Sequence, residues 1–92
     1  MKKVHEIKIS PVFFKDVSIG IKPFELRVND RNYQVGDCLV LEEFNGKYTG
    51  NETIKIVTYM LIGGQYGIDK NWCVLGLRPI QEHEYQQFEN NN

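Results

Sequence analysis

No stretch of the 92-residue chain approaches the roughly 18 consecutive apolar residues of a membrane span. Met1-Lys2-Lys3 runs into His5 and Glu6 without an apolar signal region, so a soluble, cytoplasmic chain with no membrane partner is expected. Cysteine is scarce: Cys38 and Cys73 are too few for a disulfide scaffold and are not spaced as a metal pair. Both sit in apolar runs, where a free thiol packs as a small hydrophobe. Histidine is equally sparse, and His83 has no second histidine four residues away, which removes a zinc-protease motif. Neither a metal site nor a cofactor is expected. Gly63-Gly64-Gln65-Tyr66-Gly67 is rich in glycine but has neither the spacing of a phosphate loop nor its Gly-Lys-Ser/Thr ending. A surplus of one charge is also missing. With 11 Lys and Arg against 12 Asp and Glu, bulk electrostatics alone cannot grip nucleic acid. Repeats and linkers are absent, and the length suits one domain over residues 1–92, with a core at about 4–78 and a C-terminal extension at 79–92.

The charges that are present are unevenly distributed. Residues 1–31 carry seven Lys and Arg against four acids, and residues 32–92 carry four against eight. A basic N-terminal third on an acidic body permits a local anion-binding face.

Along the chain, Val4 to Ile9 alternates as a half-buried strand, with His5, Ile7 and Ile9 on one face. His5 is a second candidate there for ligand contact. Ser10-Pro11 reads as a helix start, Phe13, Phe14 and Val17 as its apolar stripe, and Gly20 as its stop. A strand follows through Phe24, Leu26 and Val28, then turns at Asn29–Asn32 and at Gly36-Asp37. Cys38 to Phe44 is β-like, and Asn45-Gly46 signals a hairpin whose connection extends through Tyr48-Thr49-Gly50-Asn51. Glu52 to Ile62 then runs as a long strand with Ile54, Ile56, Thr58, Met60 and Ile62 on one side. Trp72 to Leu77 is the last strand, with Trp72 expected inside and Gly76 marking a bend or a close backbone approach. Gln81 to Glu89 can form a terminal helix, with Ile80, Tyr85 and Phe88 partly covering the domain, and Asn90–Asn92 should fray. Strand, helix and four further strands imply an α+β architecture, a small mixed sheet curled into a partly closed barrel.

The densest chemistry lies in Gly20–Arg31. Alternation puts Glu25 and Arg27 on one strand face and Phe24, Leu26 and Val28 on the other, the apolar set facing the core. Lys22 falls on the wrong face to join Glu25 unless the strand breaks at Pro23. The bland outcome is a surface ion pair. The sharper one is a polar cup in which Arg27 and Lys22 hold an anion or carbonyl while Glu25 accepts hydrogen bonds from an amine or amide.

Gly20-x-Lys22-x-x-Glu25-x-Arg27 resembles the signature of the ASCH domains, a branch of the PUA-like superfamily. The longer series is similar to a family of small bacterial and phage proteins of the DUF3850 kind. It comprises His5–Ile9 with Pro11 and Phe14, Gly20–Arg31, Val35-Gly36-Asp37, Glu43 and Tyr48-Thr49-Gly50, and the similarity extends from about His5 to Leu77. The resemblance implies a small PUA-like β-barrel of about five strands with one or two short helices, and a cleft that binds RNA or modified nucleobases. It assigns Lys22, Glu25 and Arg27 to that cleft, with Asp30 and Arg31 following from the narrower pattern. Tyr48, Tyr66 or Trp72 would stack a splayed base. Some ASCH proteins resemble amidohydrolases that deacetylate N-acetylated cytidine, in which case Lys22 and Glu25 would be catalytic. Glu25 stands where that enzyme's motif has Thr, so a Glu25-activated water would have to replace the hydroxyl. A protein-interaction module is the third possibility, and it predicts apolar surface patches.

Overall fold

A computed structural model describes residues 2–89. Strand β1 (Val4–Ile9) leads into helix α1 (Pro11–Ser18), followed by β2 (Phe24–Val28), β3 (Cys38–Phe44), β4 (Tyr48–Ile62) and β5 (Trp72–Pro79). A 3-10 turn (Glu82–Glu84) and the short helix α2 (Tyr85–Glu89) complete it. The five strands form one sheet in the order β1-β3-β4-β5-β2, with β1 parallel to β3 and every other pair antiparallel. The sheet curls into a half-barrel, giving the α+β class expected from the element order. No helix among the described residues is long and apolar enough to cross a membrane. The fraying expected of Asn90–Asn92 lies outside the described residues.

Helix α1 starts and stops where its residues dictate. The Ser10 hydroxyl accepts from the Val12 amide, Pro11 occupies the first turn, and Gly20 takes φ 90° just beyond the C-cap residue Ile19. Its core-facing stripe is narrower than expected. Val17 is buried and Phe14 packs on the core, but Phe13 is exposed and turns toward Lys22. Lys55, buried on β4, reaches the Ser18 carbonyl at 3.3 Å and caps the helix end. Desolvation lowers the Lys55 pKa from its ordinary value.

The barrel interior is filled by Ile7, Ile9, Leu39, Leu41, Val57, Cys73, Leu75 and Leu77, with Val17 of α1 and Tyr33 closing it. Both cysteines are buried free thiols, and burial pushes Cys38 up to about 11, so neither is an activated nucleophile. A second apolar cluster lies on the outer face, where Cys38 and Ile56 are covered by Phe88, with Ile80 alongside. The C-terminal segment that supplies this cover is clamped to β5. Arg78 donates to both Glu84 oxygens at 2.7 Å, and the Gln81 amide donates to the same carboxylate at 2.9 Å. Tyr85 shares only partly in the cover and stays 41% exposed.

Three expectations about side-chain direction are corrected. Phe24, Leu26 and Val28 face outward, 44%, 49% and 43% exposed, while Glu25 points into the barrel. Alternation fixed the two sets, but a five-stranded half-barrel this small leaves β2 at an edge whose inward positions hold a polar network. Trp72 is likewise outward on β5, in register with Val28. On β4 a bulge between Val57 and Tyr59 splits the supposed single apolar side. Ile54 and Ile56 therefore join the outer cluster, whereas Met60, beyond the bulge, packs on the interior. Gly76 sits opposite this bulge, where a Cβ would lie 2.7 Å from the Thr58 hydroxyl oxygen, the close approach its position implied. The β3–β4 connection is also shorter than expected, because β4 already begins at Tyr48 and pairs it with Phe44.

Candidate functional site

Edge strands β1 and β2 face each other across the open seam of the half-barrel. The Leu77 amide bonds the Pro23 carbonyl and the Asn29 amide bonds the Asn71 carbonyl, which fixes the odd-numbered residues of β2 as those paired with β5. The backbone groups of Phe24, Leu26 and Val28 therefore point into the seam. On β1, the Glu6 and Lys8 carbonyls are turned the same way, and arginine side chains meet them. Arg27 donates to the Lys8 carbonyl at 2.7 Å and Arg31 to the Glu6 carbonyl at 3.1 Å. Two guanidinium groups thus bridge an edge that no strand pairs.

A pocket of about 420 Å³ opens in this seam between the end of β1, the start of α1 and β2. It is lined by Lys8, Ser10, Phe13, Lys22, Phe24, Glu25, Leu26, Arg27 and Trp72, among others. Glu25 is only 5% exposed. Its Oε1 accepts from the Lys22 ammonium at 3.0 Å, and its Oε2 lies 3.6 Å from Arg27 Nη1. Pro23 does break the strand, since β2 begins at Phe24 and the preceding bend brings Lys22 to the Glu25 side. The Lys22 ammonium also lies over the Phe13 and Phe24 rings, 4.8 and 4.9 Å from their centroids. Two cations on one carboxylate leave the cluster with a net positive charge inside an aromatic rim.

The remaining candidates lie elsewhere. His5 is buried beside the seam, its Nε2 2.8 Å from Asp37 Oδ2 and its ring edge-on to Tyr33 at 4.8 Å. Asp37, 1% exposed, also accepts from the Lys3 and Gln34 amides, so it ties β1 to the turn before β3. His5 and Arg31 line a second, larger cavity of about 630 Å³ beneath the C-terminal segment, with Val40, Ile54 and Phe88 in its wall. That cavity holds no cluster comparable to Lys22, Glu25 and Arg27. Asp30 is exposed in the turn after β2. Tyr48 stacks edge-on with Phe44 at the β3–β4 hairpin, and the Lys8 ammonium lies over both rings. Tyr66 is exposed on its loop.

Sequence reasoning missed Tyr33 and assigned Asp37 only to a turn. Tyr33 is fully buried, its hydroxyl has no hydrogen-bond partner of ordinary geometry, and burial raises its pKa while the nearby Arg27 opposes the shift. The one available signal was an aromatic residue set among Asn29–Gln34, where every neighbour is polar. For Asp37 it was an acid placed between a turn glycine and the apolar start of β3. No group of three or more potential metal ligands occurs among the described residues.

Comparison with known proteins bears on the chain as a whole. An uncharacterised 12.9 kDa protein from the GpA 3′ region of Escherichia phage P2 is 41% identical over 59 residues, 63% of this chain. The matched segment spans 54% of that relative's length. Residues 4–77, which run from the first residue of β1 to within two residues of the end of β5, match the family described as a domain of unknown function, DUF3850. The chain belongs to the DUF3850 family.

Proposed function

We propose that the seam pocket binds RNA or a modified nucleobase, as the resemblance to ASCH and PUA-like domains implies. The observation that carries this reading is a carboxylate 5% exposed, held between Lys22 and Arg27 in the floor of a pocket rimmed by Phe13, Phe24 and Trp72. Glu25 has lone pairs beyond the one Lys22 uses, and a base-edge amino group can donate to them. Arg27 spends one donor on Lys8 and keeps others for a carbonyl or phosphate. The rim rings and the outward backbone groups of Leu26 supply a stacking surface and hydrogen bonds along a base edge. Ligand entry would compete for Lys22 and Arg27 with Glu25, so binding and local rearrangement are coupled.

Titration of short single-stranded RNA and of modified nucleosides at low salt tests the reading. Binding should weaken at least tenfold in Lys22→Ala and in Arg27→Lys, and persist in Tyr66→Ala. Absence of binding, or affinities unchanged in both pocket variants, would overturn it. The alternative, hydrolysis of N-acetylated cytidine, is disfavoured by the local chemistry. Ser10 is the one hydroxyl residue in the pocket wall named above, and its oxygen is engaged in capping α1, while Lys22 is ion-paired with Glu25. Acetate release that disappears in Lys22→Ala would reinstate it.

A further inference from the structure

The curled sheet has two apolar patches on its outer face, and the described residues cover one of them. Cys38, Val40, Ile54 and Ile56 lie under Phe88 and Ile80. Beyond the β4 bulge the outward residues change. Phe24 aligns with Gly76 and Tyr59, Leu26 with Val74 and Leu61, and Val28 with Trp72, in rows across β2, β5 and β4. No charged side chain interrupts these rows. Tyr59 is 67% exposed and Trp72 37%. The C-terminal segment cannot cover this second patch while Arg78 and Glu84 clamp it over the first.

We infer that this face is a self-association surface, on which a second copy of the chain packs sheet against sheet. Three observations select that occupant. First, the rows themselves carry no charge, and the cations at their border are already paired, Arg78 with Glu84 and Lys22, which lies over the Phe24 ring, with Glu25. Second, an uninterrupted apolar patch is complementary to itself, as a twofold isologous interface requires. Third, the area suffices. Phe24, Leu26, Val28, Tyr59 and Trp72 leave on the order of 500 Å² exposed, taking side chains of about 200 Å² each. Two such patches bury about 1,000 Å² in total, at the lower limit for a specific interface. An interface of that size suits a reversible dimer rather than an obligate one. Aligned packing of two sheets about 10 Å apart also leaves the rim of the seam pocket beside the interface, because Phe24, Leu26 and Trp72 border both.

Sedimentation equilibrium of the full chain across the micromolar range tests this. The mass should rise from 10.8 kDa toward twice that value as concentration increases. Tyr59→Glu and Val28→Glu, both at exposed positions, should remain at the single-chain mass with unchanged circular dichroism, whereas Val12→Glu on α1 should still dimerise. If one sheet variant fails to fold, the other decides. A wild-type chain that stays monomeric throughout, a dimer that survives in the folded sheet variants, or a monomer whose sheet face instead binds RNA would each overturn the proposal. Phe24 and Trp72 belong to both surfaces, so the RNA titration is done at concentrations where the chain is monomeric, and either reading can then fail without the other.

Discussion

Glu25 shows how much one side chain's direction decides. A carboxylate taken out of water needs charge partners, and Lys22 and Arg27 supply them from the bend before β2 and from β2 itself. Removing one member of a fully buried pair costs about 3–5 kcal/mol. Because the Lys22 and Arg27 side chains are 18% and 25% exposed, water recovers part of that loss. Glu25→Gln should therefore lower unfolding stability by about 2 kcal/mol, measured as a fall in the urea midpoint at unchanged slope. Asp37 should matter more. It is the shared acceptor of His5 and two backbone amides, and hydrogen bonds to a charged group contribute about 1.5–3 kcal/mol each. Asp37→Ala should cost about 3 kcal/mol or more in the same measurement. An unchanged midpoint in Asp37→Ala would show that the β1 anchor lies elsewhere. Gly63 sits at another tight point: a Cβ there would overlap the backbone carbonyl oxygen of Asp69, which cannot swing aside as a side chain would.

At the level of elements, the C-terminal cover carries a pH dependence. The Arg78 hydrogen bonds, with help from the Gln81 amide, hold the Glu84 carboxyl down to about 2, below its ordinary 4.5. A depressed carboxyl stabilises the folded segment fully above its unfolded value and loses that contribution as pH falls toward the folded one. Residues 80–88 should thus stay docked at pH 5 and release progressively between about pH 4 and 2, seen as loss of amide-exchange protection there before the barrel strands lose theirs. In Glu84→Gln this step should vanish and the segment should be loosely docked at every pH. The order of the elements, the caps of α1 and the β3–β4 pairing were all legible in the sequence, because each rests on local chemistry: Ser10-Pro11, Gly20, Asn45-Gly46. Which face of β2 turns inward was not. Period two says that Glu25 and Arg27 share a side, but the inward side is chosen by the closure of the whole sheet and by Lys22 arriving from beyond Pro23. The bulge in β4 left no mark either, since Val57, Thr58 and Tyr59 are all ordinary strand residues.

For the molecule as a whole, the seam replaces a hydrogen-bond ladder with two arginine bridges. Arg27→Ala with Arg31→Ala should leave the fold in place while speeding exchange of the Ile7 and Ile9 amides relative to those of β4 and β5, and unchanged protection in β1 would show that the bridges are dispensable. The candidate site was legible as a composition of charges but not as a place, because the pocket is made by two strands that lie at opposite edges of the sheet and do not pair. The bulge at Thr58 acts on the same scale. A strand has a frame of two, and Thr58 is its frameshift: upstream of it Lys55 and Val57 belong to the barrel, downstream Met60 does. Deleting Thr58 would restore one unbroken frame through fifteen residues of β4. Both halves would keep their present sides, with Ile54, Ile56, Tyr59 and Leu61 outward and Val57 and Met60 inward, and only the local bend opposite Gly76 would be lost. The inserted residue therefore sets where the strand bends between its two outer patches, not which side chains face outward.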